Sequence, residues 1–113
     1  MRIAILALLL SANPSISFAY TKDECIDFSN EVFRIAEFHH ANMFDGKPAS
    51  SISSFRDSMN SRVLDENDDI FFSILEAIVE HDEDFRGMSE TERKANRGYI
   101  GYQFYQKCMD GTL

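Results

Sequence analysis

An acidic stretch in the middle of the chain has the residue spacing of a calcium-binding loop. Residues 65–76, DENDDIFFSILE, place oxygen-bearing side chains at relative positions 1, 3, 5, 9 and 12. The residues at these positions are Asp65, Asn67, Asp69, Ser73 and Glu76. Carboxylate and amide oxygens at this spacing are the ligands that an EF-hand loop offers to Ca²⁺. Taken alone, the spacing would predict a cation site.

Two features argue against a calcium loop. The sharp turn at relative position 6 normally requires glycine, and this chain has the β-branched Ile70 there. The other acidic run, HDEDFRG, has Arg86 at a ligand position and cannot supply a paired loop. The acids are better explained as a helix start, with Asp68 or Asp69 as N-cap. We predict no metal site and no cofactor. A weak cation site is the minor alternative, formed by Asp65, Asn67, Asp69 and Glu76.

The histidines and the remaining nucleophilic residues form no recognisable catalytic set. His39 and His40 are adjacent, so on a helix their side chains point about 100° apart and are not natural co-ligands. A zinc site needs three or four converging ligands, which His81 could complete only through the tertiary fold. We expect His39 to be partly buried. No Ser/His/Asp or Cys/His arrangement is visible, and we predict that the protein is not an enzyme.

Helical periodicity dominates the elements that would position these residues, and strand signals are poor. A first helix is predicted to begin at Thr21 with Glu24 completing a capping box, and to end at Gly46 before Pro48. Its core stripe is Cys25, Phe28, Val32, Ile35 and His39. A short second helix, capped by Ser50 or Ser51, carries the stripe Ile52, Phe55, Met59 and Val63.

A third helix is predicted over residues 69–84, and its wide apolar surface indicates a central, largely buried element. That surface comprises Ile70, Phe71, Phe72, Ile74, Leu75, Ile78 and Val79. A fourth helix begins with the Ser89/Glu92 capping box. Ala95, Tyr99, Tyr102 and Met109 share one side of it, and Phe104 and Cys108 a neighbouring side. The predicted fold class is an all-α bundle of three to four helices.

The first nineteen residues have the features of a cleaved signal peptide. Arg2 precedes the apolar run IAILALLL, and Ser17 and Ala19 fit a small-x-small cleavage site. The run is shorter than the roughly 20 residues that cross a bilayer, so we expect no stable membrane anchor after cleavage. We predict a signal peptide at residues 1–19 and one all-α domain at residues 20–113. The expected location is periplasmic or secreted.

Two cysteines in an exported chain favour one disulfide, Cys25–Cys108, over a pair of free or intermolecular thiols. Cys25 falls in the first turn of the first helix and Cys108 in the last turn of the last. The bond would therefore bring the two ends of the domain together. A small domain gains stability from such a covalent link.

The chain is strongly acidic, with 11 Lys and Arg against 19 Asp and Glu. This balance argues against nucleic acid as a partner and suits a basic protein, although acidity also serves solubility. Nine acids and no Lys or Arg lie between Val63 and Phe85. We predict that Glu76 and Glu80, with Glu83 or Asp84, form one acidic helical ridge that binds a protein partner.

The segment NRGYIGYQFYQKC near the end of the chain allows two interpretations. Gly98 and Gly101 within a helix indicate close approach of a neighbouring helix, with the tyrosine rings packed around it. Alternatively, Tyr99 and Tyr102 form an exposed patch that binds a protein partner.

The stretches CIDFSNEVFRIAEFHHANMFDGKP and ETERKANRGYIGYQFYQKC together resemble, in arrangement, small exported helical proteins of bacteria and their phages. Those proteins have a signal peptide, a disulfide joining the first and last helices, and an aromatic-rich segment before the final cysteine. The resemblance implies immunity proteins, lysozyme inhibitors or lysis regulators as relatives, and many members have no assigned activity. It assigns no functional residue in this chain.

The leading functional hypothesis is a small exported binding protein that inhibits or neutralises a basic exported partner. The alternative is a periplasmic structural or acid-stress protein of chaperone type, whose many carboxylates would be neutralised at low pH and loosen the fold. A calcium-binding protein is the third hypothesis.

Overall fold

Six helices make up the part of the chain that this computed structural model describes, residues 20–46 and 51–113. They are α1 (Lys22–Phe44), α2 (Ile52–Asp57), α3 (Arg62–Glu66), α4 (Asp68–Glu80), α5 (Asp82–Arg86) and α6 (Glu90–Asp110). No strand occurs in these residues, so the all-α prediction is confirmed for them. The predicted signal peptide lies outside the described residues. None of the described helices has the length and apolar character needed to cross a membrane.

The two long helices, α1 and α6, begin with the capping boxes that the sequence predicts. The Glu24 amide donates to the Thr21 hydroxyl at 3.1 Å, and the Thr21 amide donates to the Glu24 carboxylate at 2.7 Å. Ser89 and Glu92 repeat this reciprocal pair at the start of α6. Each box satisfies amides that have no partner within the helix, which fixes where α1 and α6 begin.

A disulfide joins Cys25 at the start of α1 to Cys108 at the end of α6, which confirms the predicted pairing. The Cα atoms are 5.6 Å apart, and both cysteines are buried. Because the bond links the start of one helix to the end of the other, α1 and α6 run antiparallel. Their interface is the most extensive in the described structure.

Gly101 allows α1 and α6 to approach closely near the middle of their interface. A Cβ atom on Gly101 would lie 2.9 Å from the backbone oxygen of Ser29 on α1. A Cβ atom on Gly98 would meet nothing within 4 Å. The close approach predicted for this segment is therefore confirmed at Gly101 and wrong at Gly98, which lies on the exposed side of α6.

The core lies where α4 and the short helices pack onto the α1–α6 pair. Phe28, Val32 and Ile35 of α1 are buried, as predicted, and they join residues from α3, α4 and α5. These are Val63, Leu64, Phe71, Ile74, Ile78 and Phe85. On α2, Phe55 stacks on Phe38 of α1 with ring centroids 4.1 Å apart.

Two predicted helices are each divided in the structure. The second becomes α2 and α3, because Ser58 donates back to the Phe55 carbonyl and Ser61 caps a new helix by accepting from the Leu64 amide. Of the two candidate caps for α2, the structure shows Ser51, which accepts from the Ser54 amide.

The third predicted helix ends at Glu80, and a new helix starts after His81. The break has an electrostatic reason. Within one continuous helix, Asp82, Glu83 and Asp84 would sit at the unfavourable negative end, whereas they occupy the favourable first turn of α5. It also places Phe85 in the core.

One prediction about helix faces is wrong. The α4 helix is not largely buried, since Phe72 is 59% exposed and Val79 is 45% exposed. The side of α6 that carries Ala95, Tyr99, Tyr102 and Met109 faces outward. The buried side of α6 carries Arg97, Ile100, Gly101 and Cys108. On α1 the buried histidine is His40, while His39 is only partly buried, as predicted.

Breaking the disulfide should cost a large share of the stability. Closing a loop with a sequence separation of 83 residues is worth about 4–5 kcal/mol in the chain-entropy description. We expect a reductant to lower the free energy of unfolding by up to this amount, measured by denaturant titration. The Cys25→Ala/Cys108→Ala variant, which has no bond to lose, should show no response to the reductant. An equal response in both proteins would contradict the prediction.

The two α6 glycines should respond oppositely to alanine. Gly98→Ala should stabilise by about 0.5–1 kcal/mol, because alanine favours the helix and the added methyl group meets open space. Gly101→Ala gains the same propensity but collides with Ser29, so we expect a net loss of about 1–3 kcal/mol. Denaturant titration of both variants tests this. Stabilisation by both substitutions would show that the α1–α6 approach is looser than described.

Candidate functional site

The outer face of α4 combines acidic and apolar side chains. Asp69, Glu76 and Glu80 are all exposed, and their spacing places them within about 40° of one another around the helix. Phe72 and Val79 lie beside them, since Phe72 is four residues before Glu76 and Val79 is three residues after it. Both apolar side chains are exposed. We refer to these five residues as the α4 face.

Arginines neutralise other acids of the chain but not those of the α4 face. Arg56 pairs with Asp68, and Arg62 pairs with Glu24 and Glu66. Within the described residues, Asp69, Glu76 and Glu80 form no ion pair. Of the nine acids between Val63 and Phe85, four form no ion pair with a described residue, and three of these four lie on the α4 face.

The six predicted partner-binding residues are distributed over three helices, α4, α5 and α6. Glu76 and Glu80 belong to α4, and the break at His81 interrupts the single helical ridge that the sequence predicts. Glu83 pairs with Arg86 one turn later on α5, with a nitrogen-to-oxygen distance of 3.4 Å.

The remaining three predicted residues lie on or beside α6. Asp84 of α5 and Tyr99 of α6 line one groove between these two helices. Tyr102 stacks on Tyr105 with ring centroids 6.2 Å apart. Of the two interpretations of the tyrosines, the exposed patch fits Tyr99 and Tyr102, which are 59% and 52% exposed. Tyr105 is partly buried against the core.

Residues 65–76, which have the spacing of a calcium-binding loop, do not form a loop. Asp65 lies within α3, and Asn67 caps α4 by accepting from the Asp69 amide at 3.1 Å. Asn67 therefore takes the capping role predicted for Asp68 or Asp69. No group of three or more His, Cys, Asp or Glu side chains that could hold a metal occurs in residues 20–46 and 51–113. His39 and Asp82 are paired at 2.9 Å, but no third ligand joins them.

A buried polar cluster joins α1 to the start of α6 at the pole opposite the disulfide. Arg97 is only 3% exposed, and its guanidinium donates to Glu90 at 2.7 Å and contacts Nδ1 of His40 at 3.2 Å. His40 lies against the ring of Phe85, with centroids 4.2 Å apart. The sequence analysis missed this cluster, because His40 and Arg97 are 57 residues apart and an arginine within a helix is usually exposed to solvent.

The cluster shifts the protonation equilibria of its members. Burial, reinforced by the positive charge of Arg97, lowers the pKa of His40 to about 4. Hydrogen bonds from Arg97 and then Arg93 hold the pKa of Glu90 below its usual value. Nε2 of His40 and Nε of Arg97 are buried and have no hydrogen-bond partner in the described part of the chain. Protonating His40 would place a second positive charge beside Arg97.

A second ionic cluster ties the start of α1 to α3 near the disulfide. Arg62 bonds both carboxylate oxygens of Glu24 and also pairs with Glu66 at 2.8 Å. The bond from Arg62 lowers the pKa of Glu24 to about 2. Arg62 also lies over the ring of Tyr20, 4.6 Å from its centroid. These contacts fix α3 on the surface of α1 and leave its arginine unavailable to the α4 face.

Comparison of the chain with protein-family models, curated proteins and solved structures finds no match. The disulfide between the first and last helices agrees with the arrangement noted in the sequence, but no family membership follows from it. The functional argument therefore depends on the site itself.

His40 should make the protein less stable as the pH falls from neutral. The folded state resists protonation of His40, whereas the unfolded chain takes up a proton near pH 6.5, so stability is lost between pH 6.5 and about 4. We expect a loss of about 2 kcal/mol between pH 6.5 and 4.5. Denaturant titrations across this range would measure it.

The matched variant is His40→Asn, whose side-chain oxygen can accept from Arg97 without titrating. It should be less stable at pH 7, because a cavity forms beside Phe85. Its stability should nevertheless depend less on pH above 4.5, where Glu24 and Glu90 remain ionised in both proteins. Parallel pH curves for the two proteins would assign the acid sensitivity to other groups.

Proposed function

We propose that this protein is an exported binding protein that captures a basic protein partner through the α4 face. The observation that carries the proposal is the combination on one helix side of three carboxylates without ion pairs and two exposed apolar side chains. A solvated surface needs charge but gains nothing from exposed Phe72, whereas an interface uses such a residue as an anchor.

The electrostatics of the α4 face favour a cationic partner. Glu76 and Glu80 are four residues apart on one helix, a like-charge pair that costs about 0.2–0.5 kcal/mol. The described chain supplies no cation to relieve this repulsion, and a basic partner would supply one. Complementary charge would raise the rate of association and make binding depend on salt.

An extracytoplasmic location supports the type of partner proposed. A buried disulfide is typical of proteins that fold in an oxidising compartment. The predicted signal peptide at residues 1–19 points to export to the periplasm or secretion. A basic cell-wall hydrolase or toxin in that compartment has the charge that the α4 face requires, and binding would inhibit or neutralise it.

Affinity capture with matched charge variants tests the proposal. The disulfide-bonded protein is immobilised, exposed to the extracytoplasmic extract of the source cells at low and moderate salt, and the retained proteins are identified by mass spectrometry. We expect a basic protein to be retained and to be released as salt rises. Glu76→Lys/Glu80→Lys should reduce its capture at least about tenfold, which corresponds to about 1.4 kcal/mol.

The control is Asp27→Lys/Glu37→Lys, which changes the net charge equally at two exposed acids of α1. It should retain the partner, because the proposed interface does not include these residues of α1. Phe72→Ser should also lose the partner while leaving the fold intact, because Phe72 is mostly exposed. If the control and the α4 variant lost the partner equally, capture would depend on net charge alone and not on the α4 face. An empty column with the unmodified protein would overturn the proposal.

The acid-stress hypothesis is the second candidate, and the buried His40 is the observation that favours it. A protein destabilised by acid through His40 would expose part of its apolar core at low pH. That hypothesis requires binding of a hydrophobic dye near pH 3, and absence of dye binding there would exclude it.

A further inference from the structure

A small groove between α5 and the first half of α6 has the size of a site for one side chain. Phe85, Met88 and Ile100 supply its apolar lining, and His81, Asp84 and Tyr99 are among its polar residues. Its volume is about 200 Å³. Pockets for drug-sized ligands and cofactors are larger, at about 300–1,000 Å³, so a bulky cofactor is a poor fit.

The polar lining of the groove favours a positive charge. Asp84 contributes a carboxylate that is 73% exposed, and neither lysine nor arginine lines the groove. Within the described residues this carboxylate has one ion-pair contact, with Nδ1 of His81 at 3.5 Å. Tyr99 adds an exposed aromatic ring from the other helix, and aromatic faces attract guanidinium and ammonium groups.

The apolar lining suits the stem of a long cationic side chain. Phe85 is 2% exposed and Ile100 is 9% exposed, so they form a fixed base for the groove. Lysine and arginine cover apolar surface with their methylene groups while the charged end stays near water. Arginine fits best, because its planar guanidinium can both stack on a tyrosine ring and pair with a carboxylate.

We propose that the groove between α5 and α6 binds an arginine side chain of the partner protein, with Asp84 pairing the guanidinium and Tyr99 stacking on it. This inference rests on the proposed function, since it assigns a second contact to the same basic partner. It also gives Asp84 and Tyr99 a joint role that is separate from the α4 face.

Peptide titration followed by NMR tests the groove without the partner. The ¹⁵N-labelled, disulfide-bonded protein is titrated with millimolar acetyl-Gly-Arg-Gly-amide and, as the matched probe, with the same peptide carrying citrulline, which has the shape of arginine without its charge. We expect the arginine peptide to shift the amide signals of Asp84, Phe85, Tyr99 and Ile100. The citrulline peptide should bind at least about fivefold more weakly than the arginine peptide.

Variants separate the groove from general attraction to an acidic protein. Asp84→Asn should weaken binding of the arginine peptide about fivefold, and Tyr99→Leu should reduce the preference for arginine over citrulline. The control Asp110→Asn removes an exposed acid at the far end of α6 and should change neither. An unchanged signal pattern away from the groove would show that each variant is folded.

The inference would be overturned by equal binding of the citrulline peptide, by shifts centred outside the groove, or by no effect of Asp84→Asn. A norleucine peptide that binds more tightly than the arginine peptide would mark the groove as an apolar pocket instead. Because these probes do not involve the α4 face, their failure leaves the capture experiment intact. Conversely, if only the capture experiment failed, the groove would still bind arginine, but the proposed binding of a basic partner would be overturned.

Discussion

The bond between Cys25 and Cys108 is the constraint on which the rest of this structure depends. It holds the start of α1 against the end of α6, and the two longest helices pack antiparallel against each other. Gly101 then lets the helices approach so closely that a Cβ atom at this position would lie 2.9 Å from the backbone oxygen of Ser29. The described helices between them in the chain, α2 to α5, are shorter and pack onto this pair. A domain of this size has a limited core, and a covalent link offsets part of the entropy of ordering it.

The two poles of the α1–α6 pair are held by different physical means. The disulfide pole is covalent and insensitive to pH, and the nearby Arg62 cluster involves a carboxylate that stays ionised to about pH 2. The opposite pole relies on buried His40 and Arg97, and burying a charge with an incomplete set of partners is costly. Acid should therefore loosen the His40 pole first, while the disulfide keeps the chain ends together.

Local signals in the sequence were sufficient to predict some elements and insufficient for others. Both capping boxes, at Thr21 and Ser89, involve residues three apart, so the helix starts could be predicted. The break between α4 and α5 at His81 depends on where charged residues lie relative to helix ends, and the periodicity of apolar residues carries no information about this. The outward orientation of Phe72 was missed, because apolar spacing cannot tell a core face from an exposed one. The contact of His40 with Arg97 is tertiary and has no local signature.

The placement of cations explains why solubility alone is a weak account of the acidic surface. If negative charge served only to keep the chain in solution, any distribution would serve, and arginines could sit among the acids of α4. Instead Arg56 and Arg62 neutralise acids at the edges of α4, while Arg93 and Arg97 are occupied by Glu90. Three of the carboxylates left without an ion pair, Asp69, Glu76 and Glu80, flank Phe72 and Val79, whose exposure stabilises nothing within the described fold. Exposed apolar groups beside uncompensated charge are costly to keep unless something binds them, which is the physical argument for a basic partner.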